Sequence, residues 1–489
     1  QNLQSHWHDL IARDVNHPSV VMYSLENELL LTGARPEEPV AQELADLADY
    51  VRGLDATRLI MYDGDEDPAG GADIINLHYP WEYPDRVNFP LEAWWMEQPT
   101  SLQTYPAREW QWTREKPLYI GEFLWMPNQN IQAFSSLFGE TAFGMPQVYM
   151  KAKAAVWAYQ VDAYRALGVT GFCPWTPTEE SPKTKGLLWG TLKEHYVPVS
   201  IVVREPSIRF FAGQRYSRTC YVMNDSTQAI ETDLVLTATD GKGFTSEVRS
   251  PVKLGPADRV KLVLEFEAPP AGREPAAFKL TARLTGIEGA RGYEETCYSF
   301  SRRPLRLPEG LRIGLWDPAG TTAELLEEQP FSRIETLQGD LSAFDIVLVG
   351  ADALGQAQEG FVVGKERSYG LMDFVAAGGR AIILPQRASQ PEVIPLALAE
   401  APCARVFEQR PLEGLFTEAG LDFWQPDGYC ARYSWSRPTT GATETFLTSA
   451  TSQGLECSLL FKWRLGAGAY YLCQLDVINS LQAEPLASE

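Results

Sequence analysis

Over residues 1–196, short apolar runs alternate with longer stretches in which apolar residues recur at helical spacing. The clearest helical stretches cover 41–54 and 147–167, and a glycine lies near the end of each, Gly53 and Gly168. The apolar runs predict strands at 19–25, 58–63, 72–79, 116–123 and 169–175. Strands that alternate with helices in this way are typical of a (β/α) barrel with parallel strands.

The pattern changes over residues 197–303, where apolar and polar residues alternate one by one. Turn sequences such as Asp240-Gly241 separate the alternating segments. These segments lie at 217–223, 233–239, 259–266 and 278–284. Alternation interrupted by tight turns predicts a small antiparallel β-sandwich.

From residue 311 onward the chain returns to buried strands and helices. Strands are predicted at 311–316, 344–350 and 380–384, and helices near 321–328 and 367–377. This order predicts a flavodoxin-like layered α/β domain over 304–400, followed by a β-rich segment over 401–489. The predicted fold class is therefore α/β and β, multidomain, with domains at 1–196, 197–303, 304–400 and 401–489.

Charge and cysteine content exclude several classes of partner. The net charge is −22 and the pI is about 4.8, whereas nucleic acids and anionic membranes require basic surfaces. No apolar run approaches the roughly 20 residues of a membrane-spanning helix. The seven cysteines lack the spacing of a zinc site. Cys220 and Cys297 could pair on neighbouring strands, but separate buried thiols are the favoured interpretation.

Two glutamates come at the ends of predicted strands, where parallel α/β proteins place their chemistry. Asn27 and Glu28 follow the strand at 19–25, and Glu122 ends the strand at 116–123. A single carboxylate in such a place is more often a helix cap or a solvated loop charge. Two carboxylates on one barrel rim form the acid/base pair of a glycosidase.

These stretches resemble those of glycoside hydrolase family 2, the β-galactosidase, β-mannosidase and β-glucuronidase group. HPSV at 17–20 followed by SLENE at 24–28 is similar to the family's acid/base strand, and RDVN at 13–16 fits the same signature. The strand at 116–123 resembles the family's nucleophile strand. The resemblance implies a retaining glycosidase.

The resemblance also implies a position for each barrel strand. The strands that end at His78-Tyr79 and at Trp175 match as well, so residues 1–196 correspond to strands four to eight of a partial (β/α)8 TIM barrel. The two glutamates then follow strands four and seven. The family's sugar-binding domain, immunoglobulin-like domain and first three barrel strands have no counterpart here. The chain is therefore expected to be the C-terminal portion of a longer enzyme.

Residues 311–480 resemble the amidotransferase-like accessory domain found beside some galactosidases. Amidotransferase chemistry needs a cysteine nucleophile on a strand-to-helix turn. No cysteine lies between Cys297 and Cys403, so the turn after 384–386 is expected to carry no nucleophile. We expect this domain to serve structure or homo-oligomerisation.

The family resemblance implies roles for the two glutamates and for Asn27. Glu122 attacks the anomeric carbon, and Glu28 protonates the leaving oxygen before it deprotonates the incoming water. Asn27 resembles the family asparagine that hydrogen-bonds the sugar 2-hydroxyl. The positions of three other residues at strand ends suggest substrate contacts: His78 with a hydroxyl or with Glu122, Tyr79 in a similar role, and Trp175 as a stacking floor. The alternative for His78 is a polar residue whose hydrogen bonds are satisfied within the protein.

Three nearby acidic residues receive structural interpretations. Glu26 is interpreted as a structural charge inside the rim. Asp63 and Asp65 are interpreted as a solvated turn rather than a calcium or magnesium loop. No metal site is predicted, and no redox or nucleotide cofactor is predicted, because the glycines form no dinucleotide fingerprint.

The predicted function is hydrolysis of terminal neutral sugars from oligo- or polysaccharides by a retaining exo-β-glycosidase. Glucuronidases of the family carry an Asn-x-Lys pair, and Lys183 and Lys185 come near that pattern without the asparagine. This favours a β-galactoside first and a β-mannoside next. Two alternatives stay open: a non-catalytic carbohydrate-binding or scaffold protein, and an endo-acting glycanase on the same barrel. A periplasmic or extracellular location is expected.

Overall fold

The structure, a computed structural model, falls into two compact units. The first unit comprises Gln1–Asn130 with Gln147–Val197, and the second comprises Ile131–Pro146 with Pro198–Glu489. The residues that the structure describes are 2–33, 37–83, 85–102, 108–124, 131–144, 147–175, 186–303, 310–327, 334–337, 340–355, 365–391, 394–412, 420–438 and 442–488. Lys183 and Lys185 lie outside the described residues.

The architecture is mixed α/β and rich in sheet, which confirms the coarse fold prediction. The helices are α1 (Asn2–Asp14), α2 (Glu37–Leu54), α3 (Ile131–Phe138), α4 (Val148–Leu167), α5 (Leu187–His195), α6 (Thr321–Glu327), α7 (Lys365–Ala376) and α8 (Val477–Ser480). The strands of the first unit are β1 (Met22–Asn27), β2 (Leu59–Asp63), β3 (Asp65–Glu66), β4 (Ile75–His78), β5 (Thr100–Leu102), β6 (Arg108–Trp110), β7 (Leu118–Phe123) and β8 (Gly171–Pro174).

The strands of the second unit continue the same numbering. They are β9 (Val199–Val203), β10 (Arg209–Phe211), β11 (Arg215–Asn224), β12 (Ile230–Thr239), β13 (Thr245–Leu254), β14 (Asp258–Glu267), β15 (Ala276–Leu284), β16 (Tyr293–Phe300), β17 (Ile313–Trp316), β18 (Ile334–Thr336), β19 (Ile346–Val349), β20 (Arg380–Ile383), β21 (Leu398–Cys403), β22 (Phe407–Glu408), β23 (Ala431–Ser436), β24 (Thr443–Thr451), β25 (Gly454–Leu465) and β26 (Gly468–Cys473). None of the helices in the described ranges is both long enough and apolar enough to span a membrane.

The first unit contains the parallel strands that position the candidate site. β1 pairs with β2 in parallel, and β4, β7 and β8 form a second parallel set with β3 antiparallel at its edge. The amides of Asp73 and Ile74, which lead into β4, donate to the Ile60 carbonyl at 2.8 and 3.3 Å. These bonds bring the two parallel sets together, so their C-terminal ends lie at one edge.

Helix α2 covers the sheet formed by β1 and β2. Leu44, Leu47 and Val51 recur at helical spacing and pack against Tyr23 of β1 and Ile60 of β2 in one buried cluster. This packing holds β1, whose end carries Glu28.

In the second unit, two sheets enclose one hydrophobic core between residues 199 and 300. Their strand orders are β10-β16-β15-β12-β13 and β14-β11-β9. Cys220 of β11 and Cys297 of β16 are both buried in this core as free thiols. The sequence analysis did not predict β13, because most of its residues are polar. Many of its side chains are exposed, since β13 lies at the edge of its sheet.

The rest of the second unit is built on one ten-stranded sheet. Its main order is β18-β17-β19-β20-β26-β25-β23-β21, and β24 adds to β25 with β22 beside it. The first five strands of this order are parallel, and the others pair antiparallel. The domain boundary predicted at residue 400 falls inside this sheet, because β26 returns to lie beside β20.

Residues 131–146 also group with the second unit, although the first predicted domain includes them. Helix α3 buries Ala133, Phe134 and Leu137, and it packs on β24 and β25. An apolar helix face of this kind joins the unit against which it is buried.

Candidate active site

Glu28 and Glu122 lie at the same edge of the first unit. Glu28 directly follows β1, adopts a φ of 57°, and donates its backbone N–H to the Asp63 carbonyl at 2.9 Å. Glu122 lies in β7 opposite His78 of β4. One carboxylate oxygen of Glu28, one of Glu122 and a ring nitrogen of His78 lie within 4.8 Å of one another. The structure thus brings together two glutamates that are far apart in the sequence.

The imidazole of His78 lies between two carboxylates. Its Nδ1 is 2.7 Å from Oε1 of Glu28, and its Nε2 is 2.9 Å from Oδ1 of Asp63. Burial lowers the pKa of His78, but the hydrogen bonds to Asp63 and Glu28 outweigh it and leave the pKa raised above 6.5. Two carboxylate acceptors favour a ring that donates from both nitrogens, which is the imidazolium form.

This arrangement corrects one alternative for His78. The sequence suggested that His78 binds a sugar hydroxyl or orients Glu122. Both ring nitrogens are instead occupied by Glu28 and Asp63, so the ring orients Glu28. The fully buried His78 ring contrasts with the Glu28 side chain, which keeps 22% of its surface exposed and accessible to a substrate.

Tyr79 is the residue that holds Glu122. Its hydroxyl donates to Oε2 of Glu122, and its backbone N–H donates to the Glu122 carbonyl at 2.9 Å. Burial, together with the bond to this carboxylate, raises the pKa of Tyr79 well above its ordinary value of 10. The phenol therefore stays protonated and acts as a donor.

Asp63, Asn76 and Gly121 complete the network beneath the pair and were not assigned a site role from the sequence. Asn76 is fully buried, and its Nδ2 donates to Oδ1 of Asp63 at 2.8 Å. A Cβ atom on Gly121 would lie 2.4 Å from oxygens of both Asn76 and Asp63, and 2.6 Å from Nε2 of His78. Asp63 is the last residue of β2, and Glu122 is the last but one of β7, so a polar residue near a strand end was the available sequence signal.

Two further carboxyl groups fix the loop that follows Glu28. Asp65 is buried and accepts the amides of Leu30 and Leu31, each at 2.8 Å, which corrects its interpretation as part of a solvated turn. Glu26 accepts the amide of Leu29 at 3.1 Å. Burial and the neighbouring Asp65 charge raise the pKa of Glu26 to about 8. The sequence analysis interpreted Glu26 as a structural charge, whereas this raised pKa keeps its carboxyl largely protonated and uncharged at neutral pH.

Asn27 and Trp175 lie at the same edge of the unit. Asn27 is the last residue of β1, is exposed, and lies opposite Asp63 of β2. Trp175 follows β8 and donates its backbone N–H to the Phe123 carbonyl at 3.0 Å, next to Glu122 in the chain. The substrate contacts expected of these two side chains stay predictions.

The cluster of Glu28, His78 and Glu122 also has the ligand types of a cation site. A histidine that binds a metal must be neutral and must have a free lone pair on one ring nitrogen. His78 instead has a raised pKa and a carboxylate at each ring nitrogen. These features fit a charged hydrogen-bond network better than a metal centre.

The comparison with protein families supports a glycoside hydrolase. Residues 2–140, a segment that contains both glutamates, match the family described as "Glycosyl hydrolases family 2, TIM barrel domain". This confirms the resemblance predicted from the sequence over that segment. No curated protein sequence matches the chain significantly.

Similar solved structures include two glycoside hydrolases and a glucanotransferase. The endo-β-1,4-mannanase of Thermotoga petrophila is 10% identical with a TM-score of 0.24, covering 59% of this chain and 66% of that chain. The β-galactosidase of Bacillus circulans sp. alkalophilus is 13% identical with a TM-score of 0.20, covering 36% and 30%.

The third is the cycloisomaltooligosaccharide glucanotransferase of Paenibacillus sp., 10% identical with a TM-score of 0.19, covering 38% and 28%. In all three cases the match spans less than two thirds of the other chain. Likenesses this weak support no conclusion about function.

Proposed function

We propose that this protein is a retaining exo-β-glycosidase that removes terminal neutral sugars, with β-galactosides favoured and β-mannosides next. The observation that carries the proposal is the approach of the Glu28 and Glu122 carboxylates, which have oxygens within 4.8 Å of each other. Retaining glycosidases hold their two carboxyl groups about 5 Å apart, whereas inverting enzymes need a wider gap for water. The family match over residues 2–140 supports the same class of reaction.

On this proposal, Glu122 is the nucleophile and Glu28 is the acid/base. A carboxylate oxygen of Glu122 attacks the anomeric carbon while Glu28 gives its proton to the departing glycosidic oxygen. Water then attacks the glycosyl-enzyme, Glu28 takes its proton, and the bond to Glu122 breaks. Each step leaves one negative charge shared between the pair, so no metal or redox cofactor is needed.

The neighbouring donors support these roles. Tyr79 donates to Glu122 and fixes the oxygen that does not attack. His78 holds Glu28 in place through the contact between its Nδ1 and Oε1 of Glu28. Asn27, exposed at the end of β1, is available for the 2-hydroxyl of the sugar, and Trp175 is proposed as an apolar floor.

The test is hydrolysis of a panel of p-nitrophenyl β-glycosides by the natural gene product that contains this sequence, beside the 489-residue chain. Glu28→Gln is expected to lower kcat by roughly 10²–10⁴-fold, because general acid–base catalysis is lost. Glu122→Gln is expected to abolish turnover, because no nucleophile remains. Glu43→Gln, an exposed position on α2, is the matched control and should leave the rate unchanged.

The panel also separates this proposal from its alternatives. Binding of glycans without turnover of any panel member would favour a scaffold protein instead. Cleavage of internal linkages in a polysaccharide, with inert p-nitrophenyl monosaccharides, would favour an endo-acting glycanase. Turnover that survives both Gln substitutions would refute the assignment of the two glutamates.

A further inference from the structure

The ten-stranded sheet of the second unit carries a cavity at the C-terminal ends of its parallel strands. The cavity has a volume of about 310 Å³ and is lined by residues that follow β17, β19, β20 and β26, with β23 and α8 on its other sides. All of these elements belong to the same unit. A volume near 300 Å³ is at the lower end of the range found for small-molecule sites.

The strand order indicates that this position is suited to binding a ligand. The chain passes from β17 to β18 on one side and then to β19 on the other side of β17, giving the order β18-β17-β19-β20. Open α/β sheets bind ligands outside the C-terminal strand ends where the order reverses in this way. Ala319 follows β17 and Asp352 follows β19, and both line the cavity, so the cavity lies at the reversal point.

The floor of the cavity is formed by residues that hydrogen-bond to one another. Gln386 follows β20 and is 1% exposed. Its backbone N–H donates to Oε1 of Gln474 at 2.7 Å, and Nε2 of Gln474 donates back to the Gln386 carbonyl at 2.9 Å. Its own side-chain amide donates to the Gly350 carbonyl at 2.8 Å. Because the polar groups of Gln386 and Gln474 already have hydrogen-bond partners, this floor is suited to binding a ligand rather than to covalent catalysis.

The walls of the cavity carry equal numbers of positive and negative side chains. Arg387 and Arg432 contribute two positive charges, and Asp352 and Asp476 contribute two negative charges, so the formal charges cancel. Arg387 also lies 3.4 Å from Asp352 as an ion pair. A site for an anion would carry a surplus of positive charge. These walls offer both donors and acceptors without net charge.

Hydroxyl groups match such walls because each one donates and accepts. Tyr433 adds an aromatic surface to the lining, and Asn479 of α8 adds an exposed amide whose Nδ2 donates to Oδ1 of Asp476 at 2.7 Å, which leaves its carbonyl oxygen and second N–H. Vicinal hydroxyls on one side and an apolar C–H face on the other are the features of a pyranose. We propose that this cavity binds a neutral mono- or disaccharide unit. The inference does not depend on hydrolysis at Glu28 and Glu122, which belong to the first unit.

The test measures saccharide binding to the full 489-residue chain carrying Glu122→Gln, so that turnover does not consume the probe. Methyl β-D-galactoside, methyl β-D-mannoside and cellobiose are titrated by calorimetry, with inorganic phosphate as the anionic probe. Adding Tyr433→Ala is expected to weaken affinity at one site roughly tenfold, because the aromatic face is lost. Asn479→Ala, an exposed change that leaves the core intact, should weaken the same site.

The matched control is Tyr471→Ala, a half-buried tyrosine on β26 that lies outside the lining, and it should leave affinity unchanged. Unaltered saccharide binding in both cavity variants would overturn the proposal, as would the absence of saccharide binding or binding of phosphate alone. If the wild type hydrolyses nothing while the cavity variants lose binding, the proposed function fails and this inference stands.

Discussion

His78 links two residues that lie on different strands. Its ring joins Glu28, after β1, to Asp63, at the end of β2, with both distances below 3 Å. The ring is fully buried, so this bridge is shielded from solvent and from salt. A buried cation between two carboxylates costs desolvation unless both contacts are kept, which makes His78 sensitive to pH.

We expect the contribution of His78 to stability to fall as pH rises. Its pKa is raised in the folded chain above the ordinary 6.5, so the stabilisation is complete below about pH 6.5 and is lost as pH rises through the folded value. His78→Gln should therefore lower the urea midpoint at pH 6 more than at pH 9. The exposed His8→Gln on α1 is the control. Curves for wild type and His78→Gln that stay parallel from pH 6 to 9 would contradict the bridge.

A substitution at Gly121 would test how tightly the network of Asp63, Asn76 and His78 is packed. Because a Cβ there would lie 2.4 Å from oxygens of Asn76 and Asp63, Gly121→Ala should destabilise the chain by about 1–3 kcal/mol and reduce hydrolysis. A methyl group on Gly190 in α5 would meet none of the described neighbouring side chains within 4 Å, so Gly190→Ala should be neutral or stabilising by up to about 1 kcal/mol. Urea unfolding of the two variants measures the difference, and equal midpoints would show that the site tolerates the methyl group.

The loop after β1 is held by hydrogen bonds to side chains rather than by the backbone hydrogen bonds of a helix or strand. Three successive amides, those of Leu29, Leu30 and Leu31, donate to Glu26 and Asp65. Glu28 precedes these amides and has a positive φ, a conformation that costs a non-glycine residue free energy. The two carboxyl groups therefore hold the backbone in the conformation that aims Glu28.

Glu26 makes this loop dependent on pH. Its pKa rises from 4.5 to about 8 in the folded chain, so the folded state binds more protons and stability falls as pH rises between these values. Glu26→Gln keeps an amide donor toward Asp65 and cannot ionise. We expect its urea midpoint to vary less than that of the wild type between pH 5 and 8, with Glu43→Gln as the exposed control. Identical pH dependence in wild type and variant would mean that Glu26 is ionised throughout.

The sequence predicted the regular elements well where one spacing dominated. The helix expected at 147–167 is α4, and the left-handed Gly168 at its C-cap matches the predicted stop. The glutamates could be found because each lies at the C-terminal end of an apolar strand. The role of Asp63 could not, because its partners His78 and Asn76 come from β4, and only the strand order brings them together. The burial of Asp65 depends on the same long-range pairing.

At the scale of the whole molecule, the second unit is held together by a buried ion pair between distant parts of the chain. Arg209 of β10 is 1% exposed, and its Nε donates to Oε1 of Glu484, near the last described residue, at 2.7 Å. The same guanidinium donates to the Gly420 carbonyl at 3.0 Å, and Glu484 accepts the Gln425 amide at 3.2 Å. The pair thus connects the two-sheet core with the segment between β22 and β23 and with the segment that follows β26.

Removing one partner of this pair should be far more costly than removing a surface pair. Glu484→Gln leaves the Arg209 charge buried without its counter-ion, so we expect a loss of about 3–5 kcal/mol in the free energy of unfolding. Arg283 and Glu294 form a comparable contact at 2.9 Å, but both are at least half exposed. Glu294→Gln should therefore change stability by less than about 1 kcal/mol. Equal effects in urea unfolding would contradict the burial of this pair and would mean that water reaches Arg209.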